Sequence, residues 1–191
     1  MVAPLTSRRW DLIYVIYFIT HIPPTLLLDL QSIYPKEHVP AFMSGLLRTY
    51  FDTLHDPLVG RAAGFYGEKA ADEMLWLKTF MSLEAVFQLP VFFIGAYCLI
   101  KSACIRSIYP ILLIYGASTA TTTLPCLVYL YTTPNTDEWT QANNVPSVTS
   151  QERLILLSSY APYFLIPLVM AVDMAFRLGR TKKTGKAGKK D

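Results

Sequence analysis

The stretch Ser82-Leu-Glu-Ala-Val-Phe-Gln-Leu-Pro-Val-Phe-Phe93 decides how this chain is read. It is almost wholly apolar, yet Glu84 and Gln88 stand in it four residues apart, about one helical turn. Both side chains therefore share a helix face. Pro90 lacks a backbone N–H and frees a carbonyl in the turn before it. If the segment crosses a bilayer, its carboxylate sits where an ionisable group is costly unless it serves a function.

Composition favours the bilayer. Of 191 residues, 52% are hydrophobic and only 16% charged, with mean hydropathy +0.32. A soluble domain of this size carries about a quarter charged residues. The net charge is +3, and seven of the 17 basic residues crowd between Arg177 and Lys190. Beside a hydrophobic helix, that charge suits a cytosolic, lipid-facing tail and argues against nucleic acid as the partner. Cys98, Cys104 and Cys126 lie in or next to apolar segments without metal-ligand spacing, so buried reduced thiols are expected.

Hydropathy divides the chain into four spans. The first runs from Trp10 to Leu28, interrupted by His21 and Pro23-Pro24, with Asp29 at its far end. Arg8-Arg9 before an apolar run could open a signal peptide, but no small-x-small cleavage site follows. Ala41 to Leu54 sets Phe42, Leu46, Leu47, Tyr50 and Leu54 at helical spacing, which predicts a short amphipathic helix over the mouth of a bundle. Asp56-Pro57 ends it, and a Gly-containing, charged loop follows. The remaining spans are Leu75–Ile100, Ile108–Tyr131 and Leu154–Phe176, each long enough for the roughly 30 Å hydrocarbon layer.

The expected fold is thus an all-α, four-transmembrane-helix bundle over residues 1–176, followed by a basic tail, 177–191, without fixed structure. Eleven basic residues fall on the side of both termini and the 101–107 connector, against six on the other. The positive-inside rule then places both termini in the cytosol and the amphipathic helix in a lumenal loop.

The deep polar groups carry the functional argument. Glu84 lies about ten residues into its span, near the midplane, and no Lys or Arg lies at comparable depth. Such a carboxylate either stays protonated or meets a cation brought from outside. Each candidate also has a plain structural reading. Glu84 can be a protonated acid bonded to Gln88 or a threonine, Asp29 a headgroup-level helix end, and Asp56 a turn residue before Pro57. His21 can be a packed histidine, Thr119 and Thr121 to Thr123 interhelical glue, and Tyr160 and Tyr163 core. Asp11 and Asp173, near the cytosolic boundary, are expected to be solvated. Together these residues predict an acidic, aromatic-lined cavity for an amphipathic ligand with an apolar body and a basic amine.

Several motifs resemble one known family. They are Tyr17-Phe-Ile-Thr-His-Ile-Pro-Pro-Thr-Leu26 with Asp29-Leu-Gln31, Asp56-Pro-Leu58, Glu84-Ala-Val-Phe-Gln-Leu-Pro90 and Tyr160-Ala-Pro-Tyr-Phe-Leu-Ile-Pro167. In this order they are similar to the sigma-2 receptor family, EXPERA-domain membrane proteins related to the emopamil-binding sterol isomerases. The resemblance implies a ligand site at Asp29, Asp56, Glu84, Gln88, Thr122, Tyr160 and Tyr163, and His21 in the first span and Tyr50 on the amphipathic helix are further candidates. It implies that Asp29 pairs with a ligand's protonated amine, Asp56 supports it from the loop, and Glu84 stays protonated and donates to Asp29. It further implies residence in the endoplasmic reticulum, binding of sterols or oxysterols and cationic amphiphilic ligands, and a part in cholesterol homeostasis. A homodimer, contact with the Niemann–Pick C cholesterol transporter, and no cofactor or metal complete that expectation.

The enzymatic relatives set a histidine one turn before the buried glutamate, where this chain has Phe80. Sterol isomerisation needs both an acid and a base. His21 is on another span, and no Trp lies in the third or fourth span to stabilise a carbocation. A receptor is therefore expected, with a sterol Δ8-Δ7 isomerase-like enzyme as the alternative.

Overall fold

The computed structural model describes residues 4–101 and 104–187, with side chains as far as residue 180. The described residues form helices, with one isolated parallel β-bridge between Asn135 and Val148. Four of these helical stretches are long and apolar enough to cross a membrane, Arg9–Ser32, Leu75–Lys101, Ile105–Thr132 and Ser150–Arg180. This is the expected all-α, four-helix transmembrane architecture.

Helix α1 (Arg9–Leu27) tolerates Pro23-Pro24 near its end and passes through Leu28 into a 3₁₀ turn, Asp29–Ser32. The second span is interrupted: α5 (Leu75–Leu83, after the loop elements), a π turn (Glu84–Gln88), then α6 (Leu89–Lys101). Pro90 explains why the interruption lies there, because it has no N–H to give an i→i−4 bond and the turn ahead of it widens. Helix α7 (Ile105–Thr132) is the third span, and α9 (Ser150–Ala187) holds the fourth. α9 runs on past Phe176 into the expected basic tail, whose residues 188–191 lie outside the described residues.

Helices α7 and α9 make the most extensive pairing, and α1 packs on α6. Small residues permit both contacts. A Cβ added at Gly116 would stand 2.5 Å from the Pro167 carbonyl oxygen, and one at Gly95 2.8 Å from the Phe18 ring. Close backbone approach of this kind drives helix association where lipid removes the hydrophobic advantage.

Between the spans lie α2 (Ala41–Leu54), α3 (Pro57–Ala62) and α4 (Glu68–Asp72), with α8 (Glu138–Ala142) in the last loop. α2 has the bounds its periodicity predicted. Its apolar residues divide, however: Leu47 is buried, while Phe42 and Leu46 are exposed. His55 ends α2 in the left-handed region (φ 47°), turning the chain so that Asp56 caps α3 at once. His55 Nδ1 lies 2.7 Å from Glu152 Oε1, tying this turn to the start of α9.

Two apolar cores result. One gathers Tyr14, Phe18, Phe92, Leu99, Leu112, Tyr115 and Met170. The other gathers Leu30, Leu58, Met74, Leu77, Leu130, Val148 and Leu156.

Two sequence expectations are corrected here. Asp11 and Asp173 are not freely solvated: the first is buried and the second half-buried, and both are ion-paired. Asp11 is 2% exposed and accepts hydrogen bonds from Arg8 (2.5 Å) and Arg177 (2.6 Å), while Asp173 accepts from Arg177 and from the Tyr14 hydroxyl at 3.0 Å. The α1 and α9 ends meet here, so acids that look boundary-exposed in sequence become the cross-link between them. Cys98 and Cys104, expected as reduced thiols, form a disulfide, because the connector brings the last turn of α6 and the residue before α7 to a Cα–Cα distance of 5.1 Å. Cys126 is free and buried, as expected.

Candidate functional site

Along every span the residues of the two cores are separated by a stretch that faces an internal cavity of about 250 Å³. α1 and its 3₁₀ turn contribute His21, Pro24, Leu28 and Asp29, and the interrupted second span contributes Leu77, Phe80, Met81, Glu84 and Gln88. Thr119, Thr122, Thr123 and Cys126 come from α7, Ser159, Tyr160 and Tyr163 from α9, and Tyr50 and Leu54 from α2. Among the described residues, no Lys or Arg lines the cavity.

The polar centre of this cavity comes from two spans. One ligand-type atom each from His21, Asp29 and Glu84 all lie within 4.8 Å of one another. His21 Nε2 is 3.9 Å from Glu84 Oε1, and that same carboxylate oxygen accepts a 2.8 Å hydrogen bond from the Thr25 hydroxyl. Thr25, fully buried, lies one turn after His21 on the same face of α1 and was missed by sequence reasoning. Its signal was present in that spacing, inside a span that already carried a polar residue. The His21 ring is held by aromatic neighbours, with centroids at 4.4 Å to Tyr163, 4.8 Å to Phe92 and 5.2 Å to Tyr17. Its Nδ1 is buried without a hydrogen-bond partner among the described residues. An imidazole nitrogen and two carboxylates this close can gather round one cation, whether a metal ion or a protonated amine.

Asp56 stands elsewhere. It is fully buried but absent from the cavity wall. Its Oδ1 caps α3 by accepting from the N–H groups of Leu58 (2.9 Å) and Val59 (3.2 Å). Its Oδ2 accepts from the hydroxyls of Tyr50 and Tyr160, each at 2.8 Å. Burial raises the Asp56 carboxyl above the usual carboxylate range, opposed by the hydrogen bonds from Tyr160, Tyr50, Val59 and Leu58. Burial, and then the neighbouring Asp56 carboxylate, likewise hold the Tyr50 hydroxyl well above an ordinary phenol, so it donates. Asp56 thus fixes two tyrosine rings that do line the cavity, one from the loop helix and one from the fourth span.

The structure also resolves the threonine run. Thr121 is exposed and bonds back to Ala117, whereas Thr122 and Thr123 line the cavity. Thr123 bonds back to Thr119 and reaches the Tyr163 carbonyl at 3.4 Å. Phe80 stands in the wall one turn before Glu84, near the edge of the Trp76 ring at a centroid distance of 5.6 Å. Of the sequence candidates, His21, Asp29, Tyr50, Glu84, Gln88, Thr122, Tyr160 and Tyr163 surround one space; Asp56 supports it from behind.

Comparison with known proteins identifies the family of the chain. Residues 42–174 match the sequence family described as EXPERA, the expanded EBP superfamily. Over 178 residues the chain is 35% identical to sigma intracellular receptor 2 of Homo sapiens, covering 91% of this chain and 92% of that protein. The Xenopus tropicalis sigma intracellular receptor 2 is 31% identical over 170 residues, 89% of this chain and 90% of the relative. Efficient mitochondria targeting-associated protein 19 of Schizosaccharomyces pombe is 29% identical over 185 residues, 97% of this chain and 85% of that protein. With four helices able to span a bilayer and these matches over most of its length, the chain is a multi-pass membrane protein that belongs to the EXPERA superfamily and, within it, to the sigma-2 receptor family.

Proposed function

We propose that this protein is an intramembrane receptor for sterols and cationic amphiphilic ligands, acting in cholesterol homeostasis or trafficking from the endoplasmic reticulum membrane. One observation carries the reading: two carboxylates, Asp29 and Glu84, meet His21 within 4.8 Å in a cavity whose wall is otherwise uncharged, with no Lys or Arg among the described residues that line it. Two acids brought together in a low-dielectric space call for a positive charge, and a ligand's protonated amine supplies one. Phe80, Met81, Leu28 and the tyrosine rings receive its apolar body. The name of the vertebrate relatives, an intracellular receptor, supports the same role and an internal membrane as its place. At about 250 Å³ the cavity is slightly smaller than the ~300–1,000 Å³ of pockets that enclose drug-sized ligands, so a sterol has to open it.

The decisive test is saturable binding of a radiolabelled cationic amphiphile by the purified protein and by Asp29→Asn. Loss of binding with unchanged thermal unfolding is expected; unchanged affinity would overturn the reading. A homodimer and a cholesterol-transporter partner belong to the same proposal, and cross-linking in native membranes followed by mass spectrometry tests both.

A second reading has its own observation. The histidine missing at Phe80 is replaced in space by His21, whose Nε2 is 3.9 Å from Glu84 Oε1. An imidazole and a carboxyl at that distance can divide the two proton transfers of a double-bond shift. Among the described residues no tryptophan lines the cavity to support a carbocation, which favours the receptor. Steady conversion of a Δ8-sterol by the purified protein, abolished in His21→Ala, would reverse the choice.

A further inference from the structure

Far from the cavity, at the membrane edge where α1 and α7 begin and the fourth span ends, lies an open hollow of about 570 Å³. Its wall carries four guanidinium groups, from Arg8, Arg9, Arg106 and Arg177. Two of them are committed elsewhere. Arg8 and Arg177 both bond Asp11, and Arg177 also bonds Asp173, so those charges are matched inside the bundle. Arg9 and Arg106 are exposed and form no ion pair among the described residues. They are the first residue of α1 and the second of α7, helices whose N-caps, Arg8 and Cys104, supply no side-chain cap. Two helix starts with N–H groups uncapped by side chains therefore open beside two unmatched guanidinium groups. Trp10, 54% exposed, adds an aromatic face at the level where indole rings sit among headgroups.

We propose that this hollow is a binding site for the phosphate of an anionic phospholipid headgroup, held by Arg9 and Arg106. The chemistry is that of a phosphomonoester: guanidinium forks and backbone N–H groups both suit its oxygens, and a dianion matches two uncompensated arginines. Arg8 and Arg177 are positioning groups, since their bonds to Asp11 fix the α1 and α9 ends on either side. The position at the end of three spans puts the hollow at headgroup depth whichever way the protein faces. The site is independent of the sterol and amine cavity.

The test uses the full chain in nanodiscs of phosphatidylcholine, with phosphatidic acid or phosphatidylserine added at equal charge, and reads bound lipid by native mass spectrometry after release into detergent. Retention of phosphatidic acid above phosphatidylserine is expected. It should fall about 10- to 30-fold in Arg9→Gln/Arg106→Gln, as two interfacial arginines are lost. Equal retention of the two anionic lipids reveals only diffuse surface attraction and overturns the proposal, as does undiminished retention in the double variant. A second arm adds inorganic phosphate to the wild-type complex: displacement of the lipid at phosphate concentrations comparable to those of the lipid makes free phosphate the ligand and overturns the headgroup assignment. Both replaced side chains are exposed and form no ion pair among the described residues, so unfolding of the double variant at the wild-type temperature verifies its fold. Its amine binding in the cavity should be unchanged, which separates failure here from failure of the receptor reading.

Discussion

Asp56 accepts hydrogen bonds from Tyr50, Tyr160, Leu58 and Val59, while Asp29 shares the cavity with Glu84 and His21. Neutralising the two aspartates therefore has different consequences. Asp29→Asn should remove the ligand's counter-charge and spare the fold. Asp56→Ala should leave two buried phenol hydroxyls without an acceptor and α3 without its cap, costing about 2–4 kcal/mol of stability. Chemical or thermal unfolding in detergent checks this; a loss below that of Tyr160→Phe would show that Asp56 supports nothing. Asp56 also gives a pH signature. Its carboxyl is raised on folding from the ordinary 3.8, so the folded chain holds that proton more tightly than the unfolded one. Its contribution to stability is then fullest below 3.8 and declines as pH rises through the window up to the raised value. Asp56→Asn should lack this decline, so the stability advantage of the wild type over it should shrink as pH rises through that window; an advantage that instead shrinks on acidification would contradict it.

At the scale of elements, the interrupted second span and the loop helix α2 shape the cavity. The π turn from Glu84 to Gln88 holds both of the polar residues that first marked the stretch, and both line the cavity. Replacing Pro90 by Ala restores the missing N–H donor and favours continuous α-helix. That should shift Glu84 relative to Thr25 and weaken amine binding about tenfold, roughly one lost charge-assisted hydrogen bond, read by competition binding. α2 closes the other side through Tyr50 and Leu54 and is anchored by His55 to Glu152. Because the cavity must open for a sterol, bound ligand should protect the amides of 41–54 from hydrogen exchange more than those of α7; equal protection would assign the opening to another wall. Between α7 and α9, a leucine at Gly116 would bring its Cβ to 2.5 Å from the Pro167 carbonyl oxygen and force the helices apart, and we expect loss of about 1–3 kcal/mol or failure to assemble.

For the whole molecule, topology meets the disulfide. Counting bases puts the connector between α6 and α7 in the cytosol, whereas a Cys98–Cys104 bond is at home in an oxidising compartment. With the Cys98–Cys104 bond formed, a maleimide quench of denatured, unreduced membranes should label Cys126 alone; labelling of all three cysteines would show a reduced connector, in the cytosol with both termini. Labelling of Cys126 alone would put the connector in the lumen and reverse the topology. Much of the architecture was legible without coordinates. Spans depend on hydrophobicity accumulated along some 20 neighbouring residues, and α2 on a local period, so 41–54 and the four crossings could be read directly. The depth of Glu84 and the want of a basic partner were legible for the same reason. What the sequence could not state is which polar group meets which. Thr25 with Glu84, His21 with Glu84, Tyr160 with Asp56 and Arg177 with Asp11 are separated by 59, 63, 104 and 166 residues. Each meeting depends on the rotation and register of one helix against another, set by contacts such as Gly116 on Pro167 and Gly95 on Phe18. Composition and periodicity along a chain determine which segments enter the membrane; only side-chain packing between them decides that the acids converge on one cavity while Asp56 stays behind its wall.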